Sequence, residues 1–413
     1  MEKIVLKNNM DLYDLDMDKF KTISLTLHIY RPMGTEAADN ALLAGVLKSG
    51  CEKYPSKMEI AKRLEWLYGA SLLSGISKKG ETQVLTMMVT APCGQYTGEK
   101  MGKALAEFLY EIVFRPKIIN QGFEEGTVMV EKENLKNRIQ ALLNDKKEYA
   151  TERCIAEMCQ GEPFGLYELG TVEEVDRITP ESLKQHYEKV LRESKMDLFV
   201  SGKCEIGEIQ KVFDGVTVMG EPPKPPAAQA VKELRTVEEQ MNISQGKLVV
   251  GMRADCQPVG QEYYDLLLFN SVYGSGTHSK LFNNVRERLS LAYYAYSRLY
   301  RQKSIILVGT GIEFEKYGQT KEEIFRQLEE MKLGNITEFE IEAAKKSLVN
   351  SYRSLSDTPV SLTDFYIGQL LCGAKESVEG AIENIQKVTK EGIVKAANKV
   401  KPDTVYFLKG VQE

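Results

Sequence analysis

The chain has 413 residues, which is too long for one compact core and long enough for two domains. Hydrophobic residues make up 43% and charged residues 27% of the sequence, which excludes a disordered chain, and a net charge of −5 argues against nucleic acid or an anionic membrane as the main partner. No apolar stretch approaches the roughly 18 residues of a membrane-spanning helix and the N-terminal segment has no apolar signal core, so we expect a cytoplasmic protein.

The first half of the chain alternates strand and helix patterns. TISLTLHIY at 22–30 predicts a strand, and AADNALLAGVLKS predicts a helix after it. A second helix begins at the capping box Ser56-x-x-Glu59 and ends at Gly69. Two strand patterns follow, ASLLSGIS and TQVLTMMVT, and then long helices.

The second half repeats this order. KLVVGMRAD at 247–255 predicts its first strand, QEYYDLLLFNSVY its first helix, and LAYYAYSRLY with SIILVGTGI the next strand pair. Both halves close with an N-cap threonine, Thr179 or Thr389, a helix, and a strand that ends on glycine. The repeat predicts a duplicated domain, and the short strand connections predict the α+β class, with a mostly antiparallel sheet packed with helices in each half.

A proline-rich segment separates the two halves. GEPPKPPAAQ at 220–229 contains four of the thirteen prolines, and such a segment is stiff and extended. We therefore predict a first domain at 1–215, a linker at 216–235 and a second domain at 236–413.

Common catalytic constellations are missing from the sequence. The histidines, His28, His186 and His278, include no pair at the i, i+4 spacing of a helical zinc site. No G-x-S-x-G elbow and no phosphate-binding glycine loop is present. The seven cysteines form no C-x-x-C pair, so we expect idle thiols and not a disulfide or metal framework.

Two segments have distinctive residue patterns. GSGTHSKLFNNVRERLSLAYYAYS combines a glycine-rich turn with Leu-Phe, Arg-Glu and Leu-Ala-Tyr, and KSGCEKYPSKMEIAKRLEWLYGASL follows the first helix. Both are similar to segments of the insulinase, or pitrilysin, family of zinc peptidases and its mitochondrial processing peptidase relatives. The tandem halves and the linker match as well, so the resemblance covers nearly the whole chain. It implies two homologous half-domains of the processing-peptidase type.

The family's zinc motif is degenerate in this sequence. Active members carry H-x-x-E-H on the first helix, where two imidazoles bind zinc and the glutamate takes a proton from the metal-bound water. Counting back from Lys48, the five positions are Ala41, Leu42, Leu43, Ala44 and Gly45. No histidine lies between Glu36 and Gly50, so no shift of register restores the motif.

A downstream helix supplies the third, carboxylate ligand in active members. In FEEGTVMVEKENLKNRI this region contains Glu124, Glu131 and Glu133. One carboxylate is not a zinc site, and a solvated, ion-paired helix face explains these glutamates. The resemblance implies a zinc family, but the residues predict no bound zinc and no catalysis by this chain alone.

Active members also contribute an arginine and a tyrosine from the second half, spaced Arg-x6-Tyr, which hold the peptide or stabilise the oxyanion. Arg286 and Tyr293 match this spacing. Two interpretations remain open for them, structural packing and a cleft that faces a peptide or a subunit. Gly274 and Gly276 frame a turn that either meets a backbone requirement or contacts the peptide.

The resemblance implies a non-catalytic homologue that pairs with an active H-x-x-E-H subunit and helps to bind or enclose a peptide substrate. One alternative is a free-standing homodimeric clamp for extended peptides. Another is a metallopeptidase with ligands that the sequence does not reveal, for which His278 and the glutamates at 124–133 are the candidates.

Overall fold

The structure is a computed structural model that describes residues 2–6, 10–15, 17, 19–218, 220–221, 223, 231 and 233–411. Most of the predicted linker segment 220–229 lies outside the described residues. The chain forms two compact units, one of Met1–Ala141 with Leu166–Pro225 and the other of Leu142–Gly165 with Pro226–Glu413. The sequence assigned residues 142–165 to the first half, whereas in the structure they belong to the second unit.

The strands are β1 (Glu2–Val5), β2 (Asp11–Asp14), β3 (Thr22–Pro32), β4 (Ser71–Lys79), β5 (Thr82–Pro92), β6 (Ile118–Ile119), β7 (Gly122–Phe123), β8 (Lys195–Ser201), β9 (Arg235–Met241), β10 (Gly246–Ala254), β11 (Ala292–Tyr300), β12 (Ile305–Ile312) and β13 (Val400–Gly410). The strands predicted at 22–30 and 247–255 correspond to β3 and β10.

The helices are α1 (Ala37–Leu47), α2 (Lys57–Trp66), α3 (Gly94–Thr97), α4 (Met101–Phe114), α5 (Glu125–Ala141), α6 (Lys146–Met158), α7 (Val172–Arg177), α8 (Pro180–Glu193), α9 (Ile206–Phe213), α10 (Gly260–Tyr273), α11 (Tyr317–Lys332), α12 (Glu338–Ser354), α13 (Pro359–Leu371), α14 (Val378–Lys387) and α15 (Lys390–Lys399). A π-helical segment, Phe282–Arg288, precedes β11. Among the described residues, every helix is too short or too polar to span a membrane.

The two units contain sheets that share a five-stranded topology, and β1 is an additional strand at one edge of the first sheet. The first sheet has the order β1-β2-β8-β3-β5-β4 and the second the order β11-β12-β10-β13-β9. The pairs β2–β8 and β13–β9 are parallel, and the other pairs in these two sheets are antiparallel. β4, β5, β3, β8 and β2 therefore correspond to β11, β12, β10, β13 and β9. The predicted α+β class with duplicated, mostly antiparallel halves is confirmed.

The predicted N-cap hydrogen bonds form, but the capping box at Ser56 is only half present, because the Glu59 carboxylate bonds to Lys62, and α2 ends at Trp66 and not at Gly69. Ser56 Oγ accepts a hydrogen bond from the Glu59 amide at 3.3 Å at the start of α2. At the closing helices, Thr179 Oγ1 accepts from the Ser182 amide at 3.1 Å and Thr389 Oγ1 from the Gly392 amide at 3.2 Å. These bonds satisfy amides that have no partner within the first helical turn.

Helix α6 explains why the second sheet is buried on both faces. Val249 of β10 packs with Ile155 and Met158 of α6, whereas Leu248 and Val250 belong to the core on the opposite face. A strand covered on both sides needs a continuous apolar run, and LVVGM at 248–252 is such a run. Because residues 142–165 belong to the second unit, their helix α6 covers one face of its sheet.

A buried carboxylate holds the segment 142–165 against the rest of the second unit. Glu162, four residues after the end of α6, lies 2.5 Å from Arg253 Nη2 and 2.8 Å from Lys303 Nζ. Arg253 also contacts Asp403 at 2.9 Å. Burial alone would raise the pKa of Glu162, but its hydrogen bonds to Arg253 and Lys303 lower it below the ordinary value.

Glu162→Gln should destabilise the second unit by about 3 kcal/mol, because it removes the negative charge that the buried Arg253 and Lys303 share and leaves Arg253 with Asp403 alone. Urea unfolding, together with hydrogen exchange at the amides of α6, measures this loss. Glu329→Gln is the matched control, since Glu329 pairs with Lys332 on the surface and should cost less than about 1 kcal/mol. Equal losses for the two variants would contradict an anchoring role for Glu162.

Candidate functional site

The degenerate motif lies on α1, a helix of small and apolar residues. Ala41 and Ala44 are buried and Gly45 is half-buried. Alanine and leucine favour a helix, so loss of the histidines leaves the helix itself intact. The two positions from which imidazoles would reach a metal carry only a methyl group and a hydrogen atom.

Glu131 of α5 lies directly opposite Gly45. A Cβ atom added at Gly45 would stand 3.0 Å from Glu131 Oε2, so the two positions converge on one point. Of the three candidate glutamates, Glu131 is therefore the one that the structure brings to the degenerate motif. Glu124 pairs instead with Lys117 at 2.7 Å, and Glu133 pairs with Lys136 at 2.5 Å.

The solvated face expected for these glutamates does not extend to Glu131, which is 7% exposed. Its carboxylate accepts hydrogen bonds from Lys57 Nζ at 2.6 Å, Ser49 Oγ at 3.0 Å and Asn134 Nδ2 at 3.2 Å. Burial alone would raise the pKa of Glu131, but these bonds, that of Lys57 foremost, lower it. Glu131 is thus a charged carboxylate already neutralised by an ammonium group of the same chain.

These residues do not fit a zinc ion. The positions of both imidazole ligands and of the general base are Ala41, Gly45 and Ala44, and the remaining carboxylate, Glu131, is bonded to Lys57. Among the described residues, no group of three or more His, Cys, Asp or Glu side chains could hold a metal ion. The family's metal chemistry therefore has no ligand set at this position.

The same region forms an open cleft of about 370 Å³. Its lining comes from α1 and the residue after it, from the start of α2, from β4 and from α5: Ala41, Leu42, Ala44, Gly45, Lys48, Lys57, Ser74, Gly75, Ile76, Glu131, Asn134, Leu135 and Arg138. β4 is the last strand of its sheet, and in the part of the chain that the structure describes only β5 pairs with it. The cleft therefore borders a free sheet edge.

Arg286 and Tyr293 lie in the second unit, on either side of the turn that joins the π-helical segment to β11. The Arg286 guanidinium is 4.8 Å from the centroid of the Phe282 ring, and its side chain is 43% exposed. Tyr293 is 52% exposed, and its hydroxyl lies 3.4 Å from Glu313 Oε1. The two side chains contact different neighbours, and both extend away from the core.

The backbone at Tyr293 is a β-bulge. The β11–β12 register passes from Ala292 opposite Ile312 to Tyr294 opposite Gly311, so Tyr293 is the extra residue. A bulge turns a side chain away from the regular alternation of the strand. β11 is one edge strand of the second sheet, at the position that corresponds to β4 in the first.

The local backbone structure explains why glycine occupies positions 274 and 276. A Cβ atom at Gly274 would lie 2.5 Å from Ser297 Oγ, and Gly276 has a φ of +116°. His278 in the same turn lies 3.3 Å from Ser271 Oγ, and burial lowers the pKa of its imidazole. The other histidines are buried, and burial lowers the pKa of His28 to about 3 and of His186 to about 4.

Comparisons with known proteins relate this chain to peptidase homologues, over part of its length or nearly all of it. The family described as Peptidase M16 inactive domain matches residues 177–348. The chain is 34% identical over 404 residues to a Bacillus subtilis protein named "Probable inactive metalloprotease YmfF", across 96% of this chain and 94% of that protein. A second Bacillus subtilis protein, "Uncharacterized zinc protease YmxG", is 26% identical over 234 residues, which cover 54% of this chain and 56% of that protein.

Solved structures show the same fold. The crystal structure of a conserved protein from Enterococcus faecalis superposes with a TM-score of 0.91 at 29% identity, and the match covers 100% of this chain and 99% of that one. The similarity therefore spans both units.

Lys57→Met should destabilise the first unit by about 1–3 kcal/mol at neutral pH, because it leaves the buried Glu131 carboxylate without its ammonium partner. Since Lys57 holds the pKa of Glu131 below its ordinary value, the carboxylate stabilises the folded state above a pH of about 4.5 and loses that effect as the pH falls. The deficit of the variant should therefore shrink in acid.

Urea unfolding followed by circular dichroism at several pH values measures this dependence. Lys62→Met is the matched control on the same helix, because Lys62 pairs with the exposed Glu59. A deficit for Lys57→Met that does not change with pH would contradict the role given to the Lys57–Glu131 pair.

Proposed function

This chain belongs to the M16 peptidase family, the insulinase-like family that its sequence resembles, as an inactive member, and we propose that it is a non-catalytic subunit that holds extended peptides and pairs with a zinc-bearing homologue. The observation that carries the proposal is the open cleft at the degenerate motif. A site that had become only core would be filled by larger apolar side chains, because empty space in a core is costly. Here Ala41, Ala44 and Gly45 leave the cleft open.

The free edge of β4 supports the binding of an extended peptide. An edge strand presents unpaired amide and carbonyl groups, and a peptide in the extended conformation can add to it as a further strand. Ser74, Gly75 and Ile76 of β4 line the cleft, and a Cβ atom at Gly75 would meet no atom within 4 Å. A peptide backbone therefore has room to approach this strand.

The pairing with an active homologue rests on two supports. This chain has no ligand set for the metal, so hydrolysis of a held peptide needs zinc from another chain. Bacillus subtilis, moreover, has relatives of this chain of both kinds, one named as a probable inactive metalloprotease and one as a zinc protease. A heterodimer in which one chain binds the peptide and the other hydrolyses it accounts for the missing ligand set and for the two kinds of relatives.

Co-expression with a zinc-bearing M16 homologue from the same organism should yield a heterodimer with about one zinc per pair, and this chain alone should carry close to none after dialysis. Size exclusion with light scattering and elemental analysis measure both quantities. A stable homodimer that binds peptides without a partner would favour the clamp instead. One zinc per chain in the isolated protein would overturn the assignment and return attention to His278 and Glu131.

Arg286 and Tyr293 are proposed to contact the peptide or the partner subunit. Their exposure and the bulge at Tyr293 support this role, because both side chains project from the edge-strand region of the second unit. The packing alternative requires contacts with the core, and Arg286 instead lies against Phe282 on the surface of its own segment.

Replacing both Arg286 and Tyr293 with alanine should change the free energy of unfolding by less than about 1 kcal/mol, as expected for exposed residues. The same change should weaken peptide binding, or the activity of the heterodimer, about tenfold or more. Arg298→Ala is the control, because Arg298 is an exposed arginine on β11 that lies against Tyr300. Loss of folding in the double variant would show that the pair is structural.

A further inference from the structure

The cleft of the first unit has an excess of positive charge. Its lining includes three cationic side chains, Lys48, Lys57 and Arg138, and one carboxylate, Glu131. Lys57 and Glu131 bond to each other at 2.6 Å and neutralise one another. Within the described part of the chain, two cations therefore remain uncompensated in this cleft, although the net charge of the chain is −5.

Neither of the remaining cations has a partner in the described part of the chain. Lys48 follows the last residue of α1 and is half-buried, and Arg138 lies on α5 one helical turn beyond Asn134 and two turns beyond Glu131. Residues at this spacing share one helix face, so Arg138 lies along the same wall of the cleft as Glu131. Within the described residues, no carboxylate approaches either Lys48 or Arg138 within ion-pair distance.

Ordinary surface charge explains Lys48 and Arg138 less well than a role in binding an anion does. A lysine at a helix C-terminus is favoured by the helix dipole, which accounts for Lys48 in isolation. It does not account for a second cation, on another helix, in the same concave site without any acid other than the neutralised Glu131. In a cleft with partly apolar walls, two unpaired cations repel each other and favour an incoming anion.

We propose that this cleft selects peptides that present a carboxylate, either an aspartate or glutamate side chain or a free C-terminus, to Lys48 and Arg138. The proposal rests on the proposed binding of peptides in the cleft and adds the chemistry that this binding selects. The backbone of the peptide follows β4, and its carboxylate lies on the α1–α5 side of the cleft. Arginine suits this task because its guanidinium can hold a carboxylate through two hydrogen bonds.

The test measures fluorescence anisotropy with the full chain and a matched series of labelled extended peptides. Acidic peptides are compared with their amide counterparts, in which Asp and Glu become Asn and Gln, and every peptide is prepared with a free and with an amidated C-terminus. We expect acidic or free-acid peptides to bind about tenfold more tightly than neutral amidated ones at low salt, and the preference to fall as salt screens the charges. If the peptides with Asp or Glu keep the preference when amidated, the side chain supplies the carboxylate; if the Asn and Gln peptides keep it only with a free C-terminus, the terminus supplies it.

Lys48→Gln and Arg138→Gln should each reduce this preference about threefold, and the double variant should abolish it, so that acidic and neutral peptides bind with equal affinity. Lys48→Arg should retain it, and Lys62→Gln on α2 is the control for a cation outside the lining. If acidic and neutral peptides bind the unaltered chain equally, the charge selection is overturned and the peptide-binding proposal stands. If no peptide of any charge binds, both are overturned.

Discussion

Burial of the Glu131 carboxylate is the constraint on which the cleft of the first unit depends, because a buried charge without a partner costs several kcal/mol. Lys57 meets this requirement from the start of α2, Ser49 from two residues beyond α1, and Asn134 from within α5. One carboxylate thus ties three helices together at the place where active members of the family hold a metal. The positive charge that a carboxylate needs there is supplied by the chain itself.

The same constraint recurs in the second unit with a different outcome. Glu162 is held by Arg253 of β10 and by Lys303, which lies just before β12, and this network fixes the segment that carries α6 onto the sheet. Around Glu162 the buried charges pair with one another, so they hold the segment that carries α6 in place. Around Glu131 the enclosure is partial, and Lys48 and Arg138 line the same cleft without a carboxylate partner among the residues that the structure describes. Two buried carboxylates of similar kind therefore serve a structural anchor in one unit and a candidate binding site in the other.

Loss of catalysis and retention of shape are separable in this chain because they depend on different atoms. Hydrolysis in the family needs imidazole and carboxylate groups at fixed points, and Ala41, Ala44 and Gly45 have none. Peptide binding needs a cleft and an unpaired strand edge, which backbone topology provides whatever the side chains on α1. Both sheets retain their edge strands, β4 and β11, and both edges lie beside the residues that the family resemblance singles out.

Local and repeated features could be determined from the sequence alone. The caps at Ser56, Thr179 and Thr389, the duplicated order of strands and helices, and the missing zinc ligands depend on residues close together in the chain or on their absence. The sequence did not reveal the bond between Lys57 and Glu131, the transfer of residues 142–165 to the second unit, or the bulge at Tyr293, although the unbroken apolar run of β10 was a signal that both of its faces are covered. These features join residues that are distant in the chain or depend on strand register, and only the packing of complete elements decides which of several available lysines and glutamates meet.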